Sequence, residues 1–213
     1  MTIGVFDSGK GGRLIADKIS HALPQAKIIF KSDPEYFPYG NKSPRIILDR
    51  LVHFTQAFIA ENCSLIVIAC NSATTNAIKQ LRTKFPRLSL VGIEPPIKPI
   101  TQLTKTGKIA IMGTSATIAT VRKDASLHAI ACPGLAEAIE ANHHPRPATA
   151  ALLHQFLDQP IAAGVDVVGL ACTHYPYLLD QMRSLYPQVQ FYDPTPAVVA
   201  RVVKLAHDSV AQI

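Results

Sequence analysis

No run in the 213-residue sequence approaches the roughly 18–20 consecutive apolar residues that a membrane helix needs, so no membrane role is expected. The opening MTIGVFDSG passes straight into a strand-like run without a charged leader, and a cytoplasmic location is the expectation. Cysteine is scarce. Cys63, Cys70, Cys132 and Cys172 form no CxxC pair, and their wide spacing fits no set of metal ligands; in a reducing compartment they should be thiols. Neither a metal nor another cofactor is expected. Charged residues make up only 17% of the chain and apolar residues 48%, which excludes a disordered chain and suits a packed one. The net charge of +6 calls for an acidic partner, but the basic residues are scattered and no aromatic residues alternate with them. Nucleic acid is therefore not the expected partner, and a small acidic metabolite fits better.

What the chain does have is short apolar runs alternating with helix-length amphipathic segments. IGVF (3–6), KIIF (27–30), LIVIA (65–69), LSLVGI (88–93), KIAIM (108–112), DVVGLA (166–171) and VQFY (189–192) read as strands. Their apolar residues are continuous rather than alternating, as in parallel strands covered on both faces. Segments 11–22, 43–61, 73–85, 148–163 and 176–186 have helical spacing. This alternation predicts an α/β fold with mainly parallel sheets flanked by helices, and in such sheets ligands collect beyond the carboxyl ends of the strands.

The sequence also repeats itself weakly. IGVFDSG resembles IAIMGTS 106 residues later, and LIVIACNSAT resembles VVGLACTHYP after 102. Two similar lobes follow, with a cleft between them. The first takes 1–95 plus 190–213 and the second 96–189, with the proline-rich GIEPPIKPI (92–100) as a rigid crossover. The C-terminal segment from 194 reads as a helix that packs on the first lobe.

Each lobe ends a strand in Ala-Cys followed by small polar residues: Cys70 before Asn71 and Ser72, Cys172 before Thr173 and His174. A cysteine between a strand and a helix start sits among unpaired backbone N–H groups and at the positive end of the helix dipole, which favours the thiolate. One such cysteine suggests a nucleophile. Two at equivalent places in two lobes suggest opposed acid and base, one thiolate removing a proton from carbon and one thiol returning it on the other face. The polar residues beside them, with backbone N–H groups, form a cradle for a carboxylate. Cys63 and Cys132 lack such neighbours and read as small core residues. His143 and His144, in the proline-rich NHHPRP, read as surface residues.

Together the motifs FDSGKGG (6–12), PYGNKS (38–43), ACNSAT (69–74), GIEPPIKP (92–99), GTSAT (113–117), ACP (131–133) and ACTHYP (171–176) resemble those of glutamate racemases, within the aspartate/glutamate racemase superfamily. They occur in family order along nearly the whole chain. The resemblance implies conversion of L-glutamate to D-glutamate for peptidoglycan without a cofactor, in a protein that often forms homodimers. It implies Cys70 and Cys172 as the acid/base pair, with Asp7, His174 and Glu140 assisting. Asp7, Ser8, Tyr39, Gly40, Asn71, Ser72, Thr173, His174 and Thr114 would contact the substrate. Asp7 could instead make a turn or cap a helix, Tyr39 could be turn packing, Thr114 a helix cap, and Glu140 a solvated helix residue. Lys10 stands where the family has a small apolar residue and Ser72 where it has threonine. The stretch from Thr120 to Cys132 is shorter than in the family. A racemase for aspartate or another acidic amino acid, or an inactive binding protein of the same fold, are the competing readings.

Overall fold

The computed structural model describes residues 1–122, 125–142 and 147–210. In chain order the elements begin β1 (Thr2–Asp7), α1 (Arg13–Ala22), β2 (Lys27–Ser32), α2 (Pro44–Ala60), β3 (Leu65–Ile68), α3 (Asn71–Lys84) and β4 (Ser89–Gly92). They continue with α4 (Ile97–Thr101), β5 (Ile109–Gly113), α5 (Ser115–Ile118), β6 (Leu127–Ala131), α6 (Leu135–Asn142), α7 (Pro147–Ala162), β7 (Val167–Ala171), α8 (Leu179–Leu185), β8 (Gln190–Tyr192) and α9 (Thr195–Val210). Two compact units result, Met1–Ile93 with Thr195–Ile213 and Glu94–Pro194.

Each unit holds a four-stranded parallel sheet, in the orders β2-β1-β3-β4 and β6-β5-β7-β8. Strand for strand the two orders are the same, so the weak sequence repeat is a repeat of topology. In both, the first and third strands lie side by side at the centre, with Val5 opposite Val67 and Ile111 opposite Gly169. The connections leave these two neighbours in opposite directions across the sheet, so their carboxyl ends mark the switch point where an open α/β sheet has room for a ligand. Asp7 and Cys70 lie at that point in the first unit, Gly113–Thr114 and Cys172 in the second.

The continuous apolar strands are covered on both faces. In the first unit Ile3 and Val5 share a core with Ile15, Ile19, Val67, Val198 and Val202, from α1, β3 and α9. Phe6 points the other way, into a core with Ile47, Leu51, Phe58, Ile66 and Leu81, from α2, β3 and α3. Gly4 belongs to this second face, where a Cβ would stand 2.6 Å from the Phe58 ring. In the second unit Ile100, Ile109, Ile111, Leu127 and Val167 form one core.

Several details differ from the sequence reading. Strand β6, LHAIA, was not expected. It is an edge strand, mostly half-buried, and carries His128 instead of a continuous apolar run. Helix α6, around Glu140, was not delimited among the helical segments, and the proline-rich crossover contains the single-turn helix α4. Residues 190–192, assigned to the first lobe, form β8 and pair with β7, because Phe191 is buried beside Val168; the chain returns to the first unit at Thr195. His143 and His144 lie outside the described residues.

Candidate active site

In the first unit, β1 delivers Asp7 and Ser8, both buried. The Gly12 N–H, at the start of α1, donates to Asp7 Oδ2 at 2.8 Å. Only glycine fits at 12, because a Cβ there would lie 2.6 Å from that of Asp7. The carboxylate therefore sits at the positive end of α1. Ser8 Oγ lies 3.4 Å from Cys70 Sγ.

Cys70 follows β3 and is the extended residue that opens α3, with φ −78° and ψ 122°. Its sulfur is thus beside the N-terminus of a 14-residue helix. The joint is fixed by Thr74, whose hydroxyl donates to the Ile68 carbonyl at 3.1 Å and accepts from the Ile93 N–H at 3.2 Å. Asn71 Nδ2 donates to the Ile93 carbonyl at 3.3 Å. Its Oδ1 is buried without a hydrogen-bond partner, an unusual and costly state for an amide oxygen. Ser72 is buried one residue further on. Tyr39 follows Pro38, whose peptide bond with Phe37 is cis, and opens a short 3-10 turn, Tyr39–Asn41, that includes the half-buried Gly40. The Tyr39 ring packs on Phe6, centroids 6.0 Å apart, and shares a core cluster with Cys70.

The second unit is built differently around its thiol. Cys172 follows β7, but no helix starts there. A 3-10 turn at Tyr175–Leu178 intervenes, and α8 begins only at Leu179. The expectation of a helix start beside both cysteines therefore holds for Cys70 and fails for Cys172. The local substitute is an imidazole. His174 Nδ1 lies 3.8 Å from Cys172 Sγ, and His174 Nε2 lies 2.7 Å from Glu140 Oε2. The Glu140 carboxylate on Nε2 fixes the ring so that Nδ1 faces the sulfur, where it can exchange a proton with it. Helix α6 is what carries Glu140 to this place. Thr173 is buried next to the thiol. Thr114, half-buried at the end of β5, caps α5: its hydroxyl accepts from the Thr117 N–H at 3.3 Å and donates to Thr117 Oγ1 at 3.0 Å.

All four cysteines are free and buried, so burial alone does not separate them. Their neighbours do. Burial pushes the Cys132 thiol up to about 12, and burial followed by the charge of Glu61 raises that of Cys63. Both stay protonated at neutral pH and are poor bases. Among the described residues no group of three or more His, Cys, Asp or Glu could hold a metal ion, and no helix is long and apolar enough to cross a membrane.

The sequence model of Asp/Glu/hydantoin racemases matches residues 13–202. The chain belongs to that racemase family. The glutamate racemase of Ectopseudomonas mendocina (strain ymp) is 37% identical over 208 residues, which cover 93% of this chain and 79% of that protein. Among solved structures, Escherichia coli glutamate racemase in complex with L-glutamate and the activator UDP-MurNAc-ala is 30% identical with a TM-score of 0.83, over 96% of this chain and 81% of that one. Glutamate racemase isoform RacE1 from Bacillus anthracis is 26% identical with a TM-score of 0.84, over 98% and 82%.

This racemase thus spans about four-fifths of the length of those relatives. In its second unit α5 has four residues, and β6 begins at Leu127. In the first unit two residues escaped the sequence reading. Asp33 is buried just beyond β2, and Arg50 reaches it from α2. An Asp before Pro34 reads as a turn former, and an arginine on an amphipathic helix as a solvated one, so neither gave a signal.

Proposed function

We propose that this racemase interconverts L- and D-glutamate, with Cys70 from the first unit and Cys172 from the second acting on opposite faces of one α-carbon. The thiolate of one takes the α-hydrogen as a proton, and the electron pair left on carbon delocalises into the α-carboxylate. The thiol of the other then gives its proton to the opposite face, which leaves one thiol and one thiolate in exchanged roles and the mirror-image product. The observation that carries this reading is the recurrence of a thiol at the switch point of each sheet, each with its own polar setting: a helix N-terminus beside Cys70, the His174–Glu140 pair beside Cys172.

The remaining groups fit an acidic amino acid. Donors that line up with the α3 N-terminus, with the hydroxyls of Ser72 and Thr173, suit the α-carboxylate and the charge that builds on it. Asp7 and the unpartnered Asn71 Oδ1 are acceptors for the α-ammonium group, and Ser8 holds the Cys70 sulfur. The Tyr39–Gly40 turn suits the distal carboxylate, and Thr114, at the end of β5, suits a further contact to substrate. On this reading the enzyme is cytoplasmic, works as a homodimer, needs no cofactor and supplies D-glutamate for peptidoglycan. The similarity to a racemase described with a muramyl-nucleotide activator supports the last point.

The test is direct. Purified protein is mixed with L-glutamate and, separately, with L-aspartate, and circular dichroism of the amino acid is followed. The signal of glutamate should decay to zero at least a hundredfold faster than that of aspartate, whose shorter chain cannot reach both carboxylate sites at once. Faster decay with aspartate would transfer the activity to that substrate, and no decay with either would favour a binding protein of this fold.

A further inference from the structure

We infer that Arg50 and Asp33, acting through the Tyr39 hydroxyl, are positioning residues that set the place of the Tyr39–Gly40 turn and with it the affinity for substrate; this deepens the racemase reading above and rests on it. Asp33 is buried and both its oxygens are engaged. Arg50 Nε donates to Oδ2 at 2.7 Å and Arg50 Nη2 to Oδ1 at 2.8 Å, a two-point fork. The Tyr39 hydroxyl donates to the same Oδ2 at 2.6 Å. The guanidinium is itself held, stacked 4.2 Å from the centre of the Tyr36 ring and 5.5 Å from that of Phe54. One carboxylate thus ties the end of β2, the turn and α2 together.

The bond to Asp33 has a chemical consequence. A phenol has one proton to give, and Tyr39 gives it to Asp33, so none is left for an anionic substrate. Burial, followed by the hydrogen bond and charge of Asp33, holds the phenol well above its ordinary range and keeps it a donor. Tyr39 is therefore an anchor, and what its turn offers a carboxylate is main-chain N–H. Main-chain donors are useful only where the backbone is held still. A buried ion pair adds little net stability over an apolar substitute but fixes geometry, which is the property this turn needs.

Glutamate saturation curves and melting curves for Arg50→Lys, Asp33→Asn and Arg50→Ala test this. Loss of the charged two-point bond should raise KM for glutamate about tenfold or more in the first two, with kcat within about threefold of wild type. In Arg50→Ala, millimolar guanidinium should restore KM toward wild type, and sodium chloride at the same ionic strength should not. If the single variants do not fold, Asp33→Asn combined with Arg50→Gln removes both charges at nearly constant shape and should show the same rise in KM. Wild-type KM in these variants, or equal losses of kcat and melting temperature without rescue, would overturn the positioning role while leaving the racemase reading intact. A wild-type protein without activity on glutamate would overturn the reading itself.

Discussion

Racemisation should fall below detection in Cys70→Ala and equally in Cys172→Ala, a loss of at least about a thousandfold. A single positioned acid or base contributes roughly 10²–10⁴ in rate. Inversion at carbon needs a base on one face and an acid on the other, so each deletion removes one half of every turnover in both directions. The two variants should nevertheless differ. With Cys172 gone, Cys70 can still remove and return the proton of the enantiomer that faces it, so in deuterium oxide that enantiomer alone exchanges its α-hydrogen without inverting. Cys70→Ala should exchange the other enantiomer. A single variant that racemises at the wild-type rate would refute the pairing. Cys132→Ala is the control, because its thiol, pushed up to about 12 by burial, does not ionise near neutrality.

The second large effect is expected at the imidazole that serves Cys172. Glu140→Gln removes the charge that favours a protonated His174, and His174→Asn removes the ring; kcat/KM should fall roughly tenfold to a hundredfold in the first and more in the second. Because L- and D-glutamate have equal free energies, kcat/KM must fall by the same factor in both directions, so rates alone do not assign a face. The isotope effect does. With α-deuterated substrate it should grow for the enantiomer whose proton Cys172 removes and shrink for the other. Equal losses with unchanged isotope effects would mean that His174 and Glu140 only hold the fold.

Much of this architecture was legible in the sequence for physical reasons. The central strands β1, β3, β5 and β7 are buried on both faces, so they read as unbroken apolar runs, and the thiols follow two of them directly. The edge strand β6 is partly exposed and therefore carries no such run. Local chemistry was less legible. Nothing in ACTHYP announces that a 3-10 turn, and not a helix, follows Cys172; the family resemblance named His174 as assisting, and the contact of its ring with the sulfur is what the fold adds. The Glu140–His174 contact joins residues 34 apart, and the Asp33–Arg50 pair joins residues 17 apart across a strand end and a helix. Neither spacing has a local signature, whereas Asp7 and Gly12 lie within one loop.

The central claim is that two separate sulfur atoms handle the two faces of the substrate. The most direct test is to follow L-glutamate in deuterium oxide during the first few percent of conversion and measure label in both pools by mass spectrometry. With two bases, every D-glutamate formed carries one deuterium while the recovered L-glutamate carries almost none, because the opposite thiol captures the carbanion before the first one exchanges its proton with solvent. Product that retains its original hydrogen, or recovered substrate labelled as quickly as product appears, would mean that one group serves both faces, and the two-thiol account would be contradicted.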